Sequence, residues 1–207
     1  MAAAPGHDSI GPLLDAAAAG DGAAWDSLVD RFSGLLWATA RSHRLSTADA
    51  ADVVQTTWLR LVENLGRIQD PERLGGWLAT TARRECLVVL RRSRREPPVG
   101  DERFLDHVPD QRSALDSSLL ADERDAALWR VFEELPDRCR RLLRVLLADP
   151  APSYAEVSEA LDIPIGSIGP TRQRCLASLR LLAVESGALD PGDLDLTDRT
   201  VSLGGEP

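Results

Sequence analysis

Lysine is missing from this 207-residue chain: all 24 basic residues are arginine, set against 33 acids. That exclusion is first a compositional bias and only second a preference for the planar, bidentate cation that suits phosphate. Aromatic residues make up 4 % of the chain. Cysteine is scarce: Cys86, Cys139 and Cys175 are odd in number and far apart, with no Cys-x-x-Cys or Cys/His cluster. Their spacing supports neither a disulfide framework nor a zinc site, and they are expected to be small apolar positions. No apolar run approaches the ~20 residues that span a bilayer, so membrane insertion is not expected. The first twenty residues, MAAAPGHDSIGPLLDAAAAG, lack the basic start and apolar core of a signal peptide, so the expected location is cytoplasmic. There is no phosphate loop, metal cluster or nucleophile–base pairing. The three histidines fall in a terminal segment (His7), a helix end (His43) and a linker (His107). An enzyme is not expected, nor a cofactor.

What is present is helical periodicity almost throughout, in a chain that is 43 % hydrophobic and 28 % charged. Residues 1–21 are expected to be a flexible N-terminal segment. In AWDSLVDRFSGLLWATA, Trp25, Leu28, Val29, Phe32, Leu35, Leu36 and Ala40 make one buried stripe, with Asp21 as N-cap. After Ser46-Thr47-Ala48-Asp49 a second helix buries Val53, Val54, Thr57, Trp58, Leu61, Val62 and Leu65. Its other face shows Asp52, Gln55, Thr56 and Arg60. A break at 66–71 offers Asp70 as cap and Pro71 at the first helical position. A third helix runs from about Glu72 towards Arg95, with Leu74, Trp77, Leu78, Thr81, Leu87 and Leu90 inward.

Pro97-Pro98 stops that helix. Residues 97–122 hold six acids and two arginines and read as an acidic linker. A second helical domain starts near Glu123, with Ala127, Leu128, Val131, Phe132 and Leu135 inward. DRCRRLLRVLLAD follows. Then comes a short pair, SYAEVSEAL and SIGPTRQRCLASLRLL, around the turn 162–166. Ser153 with Glu156 spells a capping box. Residues 184–207 form an acidic tail. The expected fold class is therefore all-α: two small helical domains, 22–96 and 123–183, joined by an acidic linker.

Two features of this plan point to nucleic acid. Between Arg83 and Arg95 stand six arginines (Arg83, Arg84, Arg91, Arg92, Arg94, Arg95) against one acid, Glu85, in a chain whose net charge is −9. That is more than a helix C-terminus needs, and an acidic remainder makes it the attractive face for DNA. The last helix pair has the geometry of a helix-turn-helix. Tyr154, Val157, Leu161, Ile163 and Ile168 would form its core, Ser167 would cap the second helix, and Pro170 would fall in its first turn. The N-terminal residues of that second helix would meet base edges, with Arg172, Arg174 and Arg180 along it.

ADVVQTTWLRLVENL (51–65) followed by LGGWLATTARRECLVVLRR (74–92) resembles the second conserved region of extracytoplasmic-function sigma factors of bacterial RNA polymerase. LPDRCRRLLRVLL (135–147) followed by SYAEVSEALDIPIGSIGPTRQRCLASLR (153–180) resembles their fourth region. The resemblance spans roughly residues 22–96 and 123–183, in the correct order. It implies a dissociable specificity subunit that binds core RNA polymerase and recognises minus-ten and minus-thirty-five promoter elements. Asp52, Gln55, Thr56 and Leu59 match the family's surface for the clamp helices of the largest polymerase subunit. The flap of the second-largest subunit and an anti-sigma factor are further implied partners. The loop Gly66–Arg73 matches the place where the family holds a base flipped out of the minus-ten element. Arg67, Gln69 and Asp70 are candidate readers there, or equally turn and cap residues. The arginines of the third helix would neutralise phosphates. Ser167, Pro170, Thr171, Arg172 and Arg174 are the candidates for the minus-thirty-five element. The chain departs from the family at Arg84 and Val88, where many members carry Asn and Asp, and at Gly169 and Thr171, where the usual residues are basic. Only Trp77 is aromatic between residues 70 and 100, which implies local strand opening. The competing reading is a helix-turn-helix regulator that acts without polymerase.

Overall fold

The computed structural model describes residues 9–93 and 119–189, those of 119–125 by backbone alone. Arg94, Arg95, His7, His107, most of the expected linker and the tail from residue 190 lie outside the described residues. The described residues are all-α, with no strand among them, as the periodicity requires. Eight helices are described: α1 (Ile10–Ala18), α2 (Gly22–Ser42), α3 (Thr47–Asn64), α4 (Leu74–Ser93), α5 (Leu119–Glu134), α6 (Asp137–Leu146), α7 (Tyr154–Leu161) and α8 (Ile165–Glu185). Two single 3₁₀ turns, Leu65–Arg67 and Pro71–Arg73, join α3 to α4. No described helix is long and apolar enough to cross a membrane.

The helix starts follow local chemistry. The Asp21 carboxylate accepts from the backbone N–H groups of Ala23 and Ala24 at 2.9 and 3.3 Å. The Ser46 hydroxyl accepts from Asp49 N–H at 3.1 Å. At α7 the capping box closes both ways: Ser153 Oγ accepts from Glu156 N–H, and Glu156 Oε2 accepts from Ser153 N–H at 2.7 Å. Each such cap satisfies helix donors that have no partner in the helix itself.

The compact units do not follow the two stretches expected from sequence. Among the described residues one unit holds 9–93 together with 141–168, and the other holds 119–140 together with 169–189. In the first unit Leu28, Leu36, Leu61, Leu74 and Leu78 are fully buried, and Leu142, Val145, Val157, Ala160 and Ile168 join the same core. Within the segment expected to be flexible, the described residues 9–21 hold α1, whose Ile10, Leu13 and Leu14, at helical spacing, are buried against α2 and its neighbours. Trp25 and Trp58 meet edge to face at 5.7 Å. Gly34 lies so close to the backbone carbonyl of Asp149 that any side chain there would strike it.

The face of α4 is the main departure from the periodicity. Leu74, Gly75, Leu78, Ala79, Ala82 and Cys86 are buried, while Leu87 is 37 % exposed. The inward stripe is made of small residues, which let neighbouring helices approach closely. On α3, Val53, Val54, Thr57 and Leu61 are buried as expected, but Val62 is exposed.

In the second unit Val131, Ala183 and Ala188 are buried, packed by Ala127, Leu128, Leu179 and Leu182. Here the cysteine expectation is overturned: Cys139 and Cys175 are joined by a disulfide across a Cα–Cα distance of 5.2 Å. They are 36 residues apart in sequence, so no local motif announces the pair. Cys86 is free and buried, and burial, with the Glu85 charge beside it, pushes its thiol up to about 12. Ellman's reagent should therefore find no thiol in the unreduced native protein, one after denaturation and three after denaturation with reduction. Three thiols without reduction would remove the bridge.

His43 follows the last residue of α2. Burial first, then the charges of Arg141 and Arg83, lower its pKa from 6.5 to about 4. Its Nε2, and the Nε atoms of Arg83 and Arg141, are buried without a hydrogen-bond partner. Burial, with two nearby guanidiniums, outweighs the helix C-terminus, which would otherwise favour a protonated imidazole. Between pH 6.5 and 4 the unfolded chain takes up a proton that folded His43 refuses. Stability should fall as pH drops through that window, and be unaffected by this group above it. Melting temperature against pH should show a shallower decline in His43→Gln than in the parent.

Candidate nucleic-acid interface

The site is built on α3, α4 and the 3₁₀ turns between them. Because α3 buries Val53, Val54, Thr57 and Leu61, its remaining face carries Asp52, Gln55 and Leu59 outward. Asp52 and Gln55 lie one turn apart. Leu59 is 56 % exposed and Val62 53 %, so an apolar strip runs beside these polar groups. The strip borders a groove of about 570 Å³ between α3 and α4. Its α3 wall has Asp49, Asp52, Gln55, Thr56 and Leu59; its α4 wall has Glu85, Val88, Val89 and Arg92. All four residues expected to dock a partner thus line one concavity. Arg60 bridges Glu63 at 3.2 Å and Glu85 at 3.7 Å beside it, an exposed arrangement that adds little stability.

The second concavity, about 550 Å³, opens where the 3₁₀ turns meet α4. Arg67, Gln69 and Asp70 line it together with Trp77, Thr80, Thr81 and Arg84 of α4. Asp70 occupies the position before the second 3₁₀ turn, yet its carboxylate makes no capping hydrogen bond, and Pro71 starts the turn without an N–H to satisfy. The arrangement joins an aromatic ring, guanidiniums and amide and carboxylate groups around one open space. Those are the elements that stack a base and read its edge. Ser153, the N-cap of α7, and Ala155, Glu156 and Glu159 of α7 form the remaining wall. Nothing in their spacing marks them for this role, because Thr80 and Glu159 stand 79 residues apart.

The arginines do not form one stripe. Arg84 and Arg91, two turns apart, share the exposed face. Arg92 turns into the first groove. Arg83 is half-buried and pairs with Asp162 at 2.8 Å.

The helix-turn-helix elements form, with differences in detail. Asp162 ends α7 in the left-handed conformation, φ 59°. α8 starts two residues earlier than expected, at Ile165, because Ser167 does not cap it. Ser167 instead donates its hydroxyl to the Pro164 carbonyl at 2.7 Å, inside the first turn. Pro170 consequently falls in the second turn rather than the first. Thr171 is 4 % exposed and accepts a hydrogen bond from Arg174 at 3.2 Å, so it faces its own helix layer. Pro170 and Arg174 are exposed and Arg172 is half-buried. Tyr154, expected in the core of the pair, is 39 % exposed.

Residues 28–96 match the family model for sigma-70 region 2. Among solved structures, the chain is similar to CnrH in its complex with the cytosolic domain of CnrY. Identity is 23 % and the TM-score 0.53, over 84 % of this chain and 97 % of that one. It is also similar to the sigma factor RpoE in complex with the anti-sigma factor NepR from Bartonella quintana. There identity is 23 % and the TM-score 0.51, over 76 % of this chain and 96 % of that one. At this identity the two structures establish a shared fold. No curated protein matches the chain.

Exposure separates surface from scaffold within one helix. Leu59→Asp should leave the melting temperature within about 2 °C of the parent, whereas Leu61→Asp, at a fully buried position, should lower it by at least roughly 10 °C or prevent folding. Equal losses for the two, read by thermal denaturation, would show that Leu59 is part of the core.

Proposed function

We propose that this chain is a sigma factor of the extracytoplasmic-function type, which binds core RNA polymerase and directs initiation at promoters with minus-ten and minus-thirty-five elements. The observation that carries this is that the α3 and α4 walls of two concavities lie in the segment that matches sigma-70 region 2. The groove with Asp52, Gln55, Thr56 and Leu59 is the docking site for the clamp helices of the largest subunit. Its apolar strip supplies area, and its polar groups set the register of a partner helix.

The cavity of Arg67, Gln69 and Asp70 takes a base flipped from the non-template strand of the minus-ten element. Trp77 offers the stacking surface, and Arg84 with Arg91 holds the phosphates on either side. Phosphate contacts of this kind position the strand, while the pocket reads it. The exposed arginines of α8 serve the minus-thirty-five element, with the flap of the second-largest subunit as support for that helix pair. The complex of RpoE with the anti-sigma factor NepR supports an anti-sigma partner for this chain as well. The role is that of a specificity subunit, with the chemistry of RNA synthesis left to the polymerase.

Purified protein mixed with core polymerase and sheared genomic DNA of the source organism should yield discrete new transcription starts that share two upstream motifs. Asp52→Ala/Gln55→Ala should cut that transcription about tenfold or more, the scale expected for central interface residues, with the fold intact by circular dichroism. No starts and no co-elution with core polymerase would overturn the proposal and leave a polymerase-independent DNA-binding regulator.

A further inference from the structure

We infer that Cys139 is a redox modification site: in the reduced chain a hydroperoxide oxidises its sulfur, and Cys175 resolves the product into the Cys139–Cys175 bridge. The two sulfurs are bonded across 36 residues, yet their settings differ. Cys139 is half-buried in the first turn of α6, the end of a helix that favours negative charge on a side chain. Asp137 in the same turn and Glu133 at the end of α5 both pair with Arg140, which offsets their charge. Cys175 is 1 % exposed. It stands in the middle of the inner stripe of α8, with Thr171 and Leu179 one turn away on either side. A small oxidant therefore meets Cys139 first, because oxidation of a thiol follows its access. Cys175, 5.2 Å away between Cα atoms, is placed to close the bridge.

The reaction balances with one hydroperoxide. The Cys139 thiolate attacks a peroxide oxygen, the O–O bond breaks, and the second oxygen leaves as hydroxide or alkoxide. The Cys175 sulfur then attacks the sulfenic acid. The S–S bond forms, the S–O bond breaks, and the two thiol protons end on water and on the departed oxygen. The third thiol stays outside this chemistry: Cys86 lies fully buried in the other unit, and burial pushes it up to about 12. The consequence falls on α8. Among the described residues, Val131, Phe132, Leu135, Ala183 and Ala188 are the buried apolar side chains of this unit besides Cys175, and a core that small leans on a covalent tie. The bridge runs from the start of α6 to the residue after Arg174, so oxidation fixes the helix that the proposed function assigns to the minus-thirty-five element. Only this last consequence rests on that reading.

The test takes the full chain reduced with dithiothreitol, freed of reductant and treated with hydrogen peroxide. Peptide mass spectrometry should find the Cys139–Cys175 bridge restored and Cys86 untouched. In the reduced parent, iodoacetamide should label Cys139 at least about tenfold faster than Cys175, the contrast expected between an accessible and a buried sulfur. Cys175→Ser should accumulate a sulfenic acid at Cys139 that dimedone traps, and Cys139→Ser should give no such adduct at Cys175. Hydrogen exchange at the α8 amides should be at least about tenfold faster in the reduced parent than in the oxidised one, with α4 unchanged. Equal labelling of the two cysteines, or an adduct at Cys175 in place of Cys139, would overturn the assignment. So would a bridge that forms with oxidised glutathione and not with peroxide. Equal exchange in the two states would remove the hold on α8. A chain that oxidises as described yet gives no transcription with core polymerase removes the proposed function and keeps the modification site.

Discussion

The small-residue face of α4 is the constraint on which the first unit depends. Gly75, Ala79, Ala82 and Cys86 carry little side chain, so α2, α3 and α7 can all pack on one helix. Interaxial distance is set by the side chains at the contact, and small ones bring helix backbones together. Two glycines in the first turns of α4 weaken it as an isolated helix by roughly 1 kcal/mol each relative to alanine. Burial of Leu74 and Leu78 on either side of them offsets that loss. The same close packing brings Glu156 over Gly75, so a requirement of the core also shapes the candidate site.

Charge is organised by that scaffold rather than by the local sequence. The arginine-rich end of α4 is divided among three environments. Arg84 and Arg91 face outward, Arg92 enters the groove beside α3, and Arg83 is drawn towards Asp162. Burial first, and then the charges of Arg141 and Arg83, lower the pKa of His43. Cations crowded at a half-buried junction must either find an acid or leave a neighbour uncharged, and both outcomes occur within a few residues here.

The two concavities differ in kind. The groove of Asp52 and Gln55 is a helix–helix trough with an apolar strip, suited to another helix. The cavity at the 3₁₀ turns has backbone turns on one side and a helix with Trp77 and Arg84 on the other, suited to a flat, hydrogen-bonding ring. Both sit on elements whose inner faces are fixed in one core, so their outer groups are held in place by burial behind them.

The sequence by itself determined the helices, their caps at Asp21, Ser46 and Ser153, most of the buried stripes of α2 and α3, and the resemblance in two segments. These depend on neighbours within a few residues, where period and capping chemistry act. It also placed Asp52, Gln55, Thr56 and Leu59 on one face, since three- and four-residue spacing suffices for that. The tertiary structure alone decided the rest. The Cys139–Cys175 bridge, the burial of Thr171, the inward turn of Gly75 and Ala79 in place of Leu87, and the α7 wall of the second cavity all depend on residues far apart in the chain. Helical period can say that a residue lies on a face. Which neighbour covers that face is settled by packing between segments, and no local spacing encodes it.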